Sequence, residues 1–163
     1  MQAAATGTAS STPSASIRRI EKELNGLNIT SPILSAGPID PKNLLEWAAI
    51  IQGPPNTPYE NGQFKLLILF TELYPLKPPQ CQMQTKVFHP NITEDQGEIS
   101  LDLLSTSWKP TTPIATIIQG IYELLERPHG EKCLEVEKGK LYLENRDEFN
   151  RLAKDYTDKY AKQ

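Results

Sequence analysis

The segment Lys86–Leu104, KVFHPNITEDQGEISLDLL, gathers the residues of this chain that could carry acyl-transfer or hydrolytic chemistry: His89, Asn91, Ser100 and Asp102. A serine hydroxyl becomes a nucleophile when a base removes its proton, ordinarily a histidine oriented by a carboxylate. Around Ser100 the chain reads Glu98-Ile99-Ser100-Leu101-Asp102, without a G-x-S-x-G elbow, and His89 stands beside Pro90 in a turn. A serine hydrolase is therefore not supported. Asn91 has an amide that could donate to a developing oxyanion, and Asp102 has a carboxylate that could take up a proton. Both residue types are equally at home as turn formers, so this segment alone leaves the two readings open.

The elements that must hold this segment follow from periodicity. Ile17, Ile20, Leu24 and Leu27 recur at helical spacing from Ser16 onward, with Arg18, Arg19 and Lys22 on other faces, which predicts an amphipathic helix with a basic flank. Between residues 44 and 88 the period shortens, and LLEWAAII, QFKLLILF and QCQMQTKVF read as antiparallel strands divided by GPPNTPYENG and YPLKPP. A meander is the simplest topology. After the Ser100 segment, Thr112-Pro113 reads as an N-cap followed by proline at the first helical position. The helix it opens buries Ile114, Ile117, Ile118, Ile121, Leu124 and Leu125, and two more helical stretches lie in LEVEKGKLYLE and RDEFNRLAKDYTDKYAK. The class is α+β.

The totals narrow the functions. With 163 residues the chain fits one domain: a core over residues 16–163 preceded by a tail, residues 1–15, too small and polar in its side chains to fold alone. Net charge is -3, which gives no general attraction to nucleic acid or acidic lipid. Cys81 and Cys133 lack C-x-x-C spacing, and His89 and His129 are not paired at metal-ligand intervals, so no zinc site or other cofactor is expected. The absence of an apolar run near the roughly 20 residues of a membrane span, and of a signal segment, predicts a cytoplasmic protein with no direct membrane insertion. The Asn91-Ile92-Thr93 sequon is then coincidental.

Taken together, Tyr74-Pro75-Leu76-Lys77-Pro78-Pro79, His89-Pro90-Asn91-Ile92, Gly97-Glu98-Ile99-Ser100-Leu101-Asp102-Leu103-Leu104 and Trp108-Lys109-Pro110 resemble, in order and nearly in spacing, the core of ubiquitin-conjugating enzymes. Trp47 and Gly53-Pro54-Pro55-Asn56-Thr57-Pro58-Tyr59 match as well, and the resemblance covers residues 16–161. It implies the ubiquitin-conjugating fold: an N-terminal helix, a four-stranded antiparallel meander, a central helix and C-terminal helices. It also implies that Ser100 stands where the family carries its catalytic cysteine. A thiolate is available near neutral pH and its thioester reacts with amines, so the serine form is expected to be inactive or to trap ubiquitin as an oxyester. By the same resemblance Asn91 stabilises the oxyanion or orders the loop, Asp102 orients or deprotonates the incoming lysine or caps its turn, and His89 is structural.

The implied partners are ubiquitin, the ubiquitin-activating enzyme and a RING-type ligase, met by Arg18, Arg19 and Lys22 on the first helix and by the loops holding Leu76 and Pro110. Leu76 replaces a frequent phenylalanine, and Glu131-Lys132-Cys133 replaces a frequent Asp-Asp-Pro, which puts a basic residue where the family often has an acidic gate. One extra residue separates Asn91 from Ser100 relative to the commonest spacing. PIDPKNLLEW, TPYENGQFKLLI, QGEI and Leu134-Glu135-Val136-Glu137-Lys138-Gly139 resemble the branch that monoubiquitinates the peroxisomal import receptor. That branch implies work at the cytosolic face of the peroxisomal membrane with a membrane-anchored peroxin, although similar fragments occur in other branches. Two readings of Ser100 stay open: a cysteine replaced to arrest the enzyme, or a natural non-catalytic relative acting as a binding module.

Overall fold

The first helix, α1 (Ala15–Asn25), starts at Ser14, whose hydroxyl accepts a hydrogen bond from the Ile17 N–H at 3.2 Å, as an N-cap should. The computed structural model describes residues 14–162, so most of the expected tail lies outside the described residues, while Ser14 and Ala15 belong to the helix start. Ile20 is fully buried beneath α1, with Leu24 half-buried beside it.

Four antiparallel strands follow in the order of the chain: β1 (Ile33–Asp40), β2 (Asn43–Gln52), β3 (Gln63–Leu69) and β4 (Gln80–Met83). Alternation puts Trp47, Ala49 and Ile51 of β2, Phe64, Leu66 and Ile68 of β3, and Cys81 and Met83 of β4 on one buried face. Trp47 lies opposite Ile68 on one side and Pro38 on the other. Periodicity alone finds three of these strands, because Pro38 interrupts the β1 pattern; an edge strand tolerates it, since its outer ladder positions need no partner. The strand expected over QCQMQTKVF stops at Met83, and its remainder turns into the loop that carries Ser100.

The buried face is closed by the central helix, α2 (Ile114–Glu126), through Ile114, Ile117, Ile118, Ile121, Leu124 and Leu125. Two shorter helices, α3 (Val136–Glu144) and α4 (Arg146–Tyr156), complete the chain, and α4 runs on into a π-helical turn over Thr157–Ala161. Phe149 of α4 packs against Phe88 at 5.3 Å and Tyr142 at 5.0 Å, which joins the C-terminal helices to the Ser100 loop. Among the described residues no helix is long and apolar enough to cross a membrane. Burial pushes the Cys81 thiol up to about 12, so it stays protonated and inert in the core.

The start of α2 departs from the local reading. Pro113, not Thr112, occupies the cap position, and it has no side chain that could take a hydrogen bond. The cap comes instead from α1: Glu23 Oε1 accepts from the Ile114 N–H at 2.6 Å. Its other oxygen accepts from Arg19 Nε at 2.8 Å and from the Tyr74 hydroxyl. Burial first, then the Glu23 carboxylate, hold the Tyr74 phenol well above its ordinary range, so it remains a donor. Arg19 continues outward to the carbonyls of Pro110 at 2.7 Å and Thr112 at 3.3 Å. One carboxylate thus ties α1, the proline-rich loop and the central helix together. Replacing Glu23 by alanine should cost about 2–4 kcal/mol, because a helix N–H, a phenol and a guanidinium lose their acceptor together. Urea unfolding will read this as a lower midpoint at an unchanged slope.

Candidate active site

The loop between β4 and α2 is held in place by a series of backbone bonds. The Met83 N–H donates to the Gly97 carbonyl at 2.8 Å, and bridges join Gln82 to Glu98 and Ile92 to Ile99. Gly97 has φ of 68°, and a Cβ there would lie 1.9 Å from the Met83 carbonyl oxygen, so only glycine allows this approach. Ser100 follows directly, its N–H donating to the Asn91 carbonyl at 2.9 Å, and a short 3-10 turn, Asp102–Leu104, comes next. That turn is seated on α2 at Gly120, where an added Cβ would stand 2.9 Å from Leu103 Cδ1 and 3.3 Å from Leu101 Cδ2.

Asn91 is buried, and its side chain faces the loop after α2. Its Nδ2 donates to the carbonyls of His129 and Lys132, each at 2.9 Å, and its Oδ1 accepts from the His129 N–H at 2.8 Å. The same loop is held a second time by the Pro90 carbonyl, which accepts from the N–H groups of Leu134 at 2.9 Å and Glu135 at 3.1 Å. A third tie is ionic: Lys138 Nζ lies 2.9 Å from Glu94 and 3.2 Å from Glu135, and the Tyr156 hydroxyl donates to Glu94 at 2.9 Å. The Lys138 ammonium and the Tyr156 hydroxyl hold the Glu94 carboxyl below its usual range despite the opposing effect of burial, which is the largest single influence on it.

His89 lies wholly inside. Its Nε2–H donates to the Leu124 carbonyl at 2.8 Å and its Nδ1 accepts the Asn91 N–H at 3.0 Å, which assigns the neutral ring with the proton on Nε2. Burial brings it from 6.5 down to about 4, with the Leu124 bond opposing and the charges of His129 and Lys138 adding to the fall. The ring therefore joins the Ser100 loop to α2 and does not reach the surface.

Ser100 is half-buried at one side of a cavity of 460 Å³ whose walls are Leu101, Asp102 and Leu103 on one side and the 128–132 loop on the other. Asn91, Ser100 and Asp102 are brought together here, Asp102 exposed at the rim, with Glu131 and Lys132 facing it across the gap. The other group of expected contact residues lies apart. Arg18, Lys22, Leu76 and Pro110 are exposed, and Leu76 is 74% accessible. Arg19 is engaged with Glu23 and the carbonyls of Pro110 and Thr112, so it shapes this surface from beneath. Trp108 Nε1 donates to the Pro75 carbonyl at 3.0 Å, which fixes the Leu76 loop beside Pro110. The sequence reading missed His129, Glu94, Lys138 and Glu23 as site or scaffold groups; each meets partners many positions away, and no local spacing announces such pairs.

The α+β unit of helix, four-stranded meander and central helix, with a long loop folded around one half-buried side chain at a cavity edge, is the arrangement that the comparisons with known proteins address. A family model of ubiquitin-conjugating enzymes matches residues 19–157. The structure is similar to the E2 domain of a Toxoplasma gondii ubiquitin-conjugating enzyme, with a TM-score of 0.81 at 35% identity, covering 89% of this chain and 98% of that one. It is also similar to a putative ubiquitin-conjugating enzyme from Plasmodium yoelii, with a TM-score of 0.83 at 35% identity over 93% of this chain and 99% of the other. The chain belongs to the ubiquitin-conjugating enzyme family, and its fold is the one expected from the sequence.

Two outcomes follow from these contacts. In the unfolded chain His89 titrates near 6.5 and in the folded one near 4, so protons bind the unfolded state first as pH falls. Its contribution to stability is complete above about pH 6.5 and is lost down to about pH 4, a total of roughly 3 kcal/mol. Denaturant titrations across that window should show the loss in the parent and not in His89→Asn. Asn91→Ala leaves the His129 N–H and the Lys132 carbonyl without their partner and the His129 carbonyl with the Lys132 N–H alone, which should destabilise by about 2–3 kcal/mol. Hydrogen exchange should rise first in residues 128–135, whereas a purely chemical role for Asn91 would leave that exchange unchanged.

Proposed function

We propose that this chain takes part in ubiquitin transfer through an ester at position 100, and that with serine there it is inactive or traps ubiquitin as an oxyester. The single observation that carries this reading is that Ser100 sits at the cavity edge, its N–H bound to the backbone of the asparagine whose side chain holds the opposite wall. A side chain held there is open to a large acyl donor on one side and to a nucleophile on the other. A thiolate in that place would attack the carbonyl of the activating enzyme's thioester, expel that enzyme's thiolate, and hold ubiquitin until a lysine amine displaced it. The serine hydroxyl is a weaker nucleophile near neutral pH, and its ester is a poorer acyl donor to amines.

Within this reading Asn91 acts mainly through the loop it orders, since both hydrogens of its amide already meet carbonyls. Asp102, exposed at the rim, orients the incoming lysine. Arg18 and Lys22 on α1 meet the activating enzyme, Arg19 supports that surface from beneath, and the exposed Leu76 and Pro110 loops take a RING-type ligase. The expected domain plan, a tail over residues 1–15 and a core over residues 16–163, is kept as part of this proposal. The chain works in the cytoplasm; the narrower assignment to the peroxisomal branch, with a membrane-anchored peroxin, is supported by its sequence stretches alone. A second reading, a non-catalytic binding module of the ubiquitin pathway, is favoured by the hydroxyl at Ser100 itself.

One assay separates the two. With activating enzyme, ubiquitin and ATP, Ser100→Cys should gain an adduct that reductant removes. The parent should give a slower adduct that resists reductant and yields to base, or none. A Ser100→Cys form that acquires no reductant-sensitive ubiquitin sinks the carrier reading and leaves the binding module.

A further inference from the structure

Lys132 lies where the family often carries an acidic gate, and a different residue of the same loop, His129, borders the cavity as a candidate proton acceptor. His129 lines the cavity of Ser100, and it lines as well a second cavity of 460 Å³ that runs along α2 past Leu101 and Leu103. Its position relative to Ser100 is set by one intermediary. The Asn91 carbonyl receives the Ser100 N–H at 2.9 Å, and the Asn91 amide grips both the N–H and the carbonyl of His129, at 2.8 and 2.9 Å. The two residues are thus registered to each other through one buried residue, Asn91, by its backbone carbonyl on one side and its side-chain amide on the other. Among the described residues, the hydrogen bonds of His129 are made by its backbone, and the residue is exposed and lines both cavities.

We propose that the His129 imidazole accepts the proton of the attacking amine when ubiquitin is passed from position 100, an inference that rests on the carrier reading above. The amine nitrogen bonds to the ester carbonyl carbon, the bond from that carbon to sulfur or oxygen breaks with its electron pair going to the leaving atom, and the nitrogen's proton passes to the ring and then to solvent. An imidazole suits this step because a general base works best when it both takes and releases a proton near neutral pH, which carboxylates such as Asp102 and Glu131 do poorly. The charged and titratable groups around the ring are Asp102 of the 3-10 turn, Glu123, Glu126 and Arg127 at the second cavity, Glu131 and Lys132 of its own loop, and the buried His89 beneath. Carboxylates outnumber the fixed cations among them, so the positive charge formed on proton uptake arises beside negative groups.

The test uses the full chain as Ser100→Cys, charged with ubiquitin and then discharged by free lysine in single turnover across a pH series. Both the free amine and the neutral ring are required, so the logarithm of the rate should rise with a slope near two at low pH and bend to a slope of one at higher pH. Adding His129→Gln should leave charging intact, slow discharge about 100-fold and give a slope of one throughout. In His129→Ala, added imidazole should restore part of the lost rate, which a merely structural role would not allow, and thermal melting should match the parent. An unchanged slope and rate, or a slower discharge without loss of the bend or rescue by imidazole, overturns the role of His129 and leaves the carrier reading standing. Failure of Ser100→Cys to charge at all overturns both.

Discussion

The amide of Asn91 is the contact on which the site depends. It lies inside the protein between two loops that are more than thirty residues apart, and its bonds run to backbone atoms alone: the His129 N–H and the carbonyls of His129 and Lys132. Within its own loop the His129 carbonyl has only the Lys132 N–H at 3.3 Å, and a buried backbone group left without a partner carries the cost of desolvation. The asparagine therefore does for the cavity wall what a strand partner does in a sheet. The Ser100 N–H, bound to the carbonyl of the same residue, takes its position from the same point.

Around that contact the molecule uses buried charge and hydrogen bonding sparingly, at places where separate elements meet. Glu23 joins three of them, and its placement at the start of α2 sets a negative charge against the exposed N–H groups and the positive end of the helix. Glu94 and Lys138 do the corresponding task between the Ser100 loop and the C-terminal helices. His89 is a third such joint, kept neutral by burial so that one ring nitrogen donates and the other accepts. The sheet and α2 supply the bulk of the apolar burial; these few polar joints decide how the loops lie on that core.

The Ser100 loop is held in a way that depends little on the side chain of residue 100. Among the described residues, none of the hydrogen bonds that hold the loop involves the side chain of residue 100: the contact is through its backbone N–H. The position of residue 100 and the chemistry of its side chain are thus carried by different atoms.

Much of the fold was legible in the sequence because it is written in local periodicity. The alternation in β2 and β3 and the apolar face of α2 mark which side chains turn inward, and the motif around His89, Asn91 and Ser100 named the family. Where the local signal was broken or shared, it failed: Pro38 hid β1, and Thr112-Pro113 suggested a cap that the chain takes from Glu23 instead. Asn91 and Ser100 could be singled out as residues able to do chemistry, but which atoms they bind could not. The sequence by itself determined the strands and helices that bury the core, since hydrophobic pattern acts over a few neighbouring residues. Only the tertiary structure decided that Asn91 faces the 128–132 loop and that His129 stands on the cavity of Ser100, because those positions follow from hydrogen bonds between segments far apart in the chain.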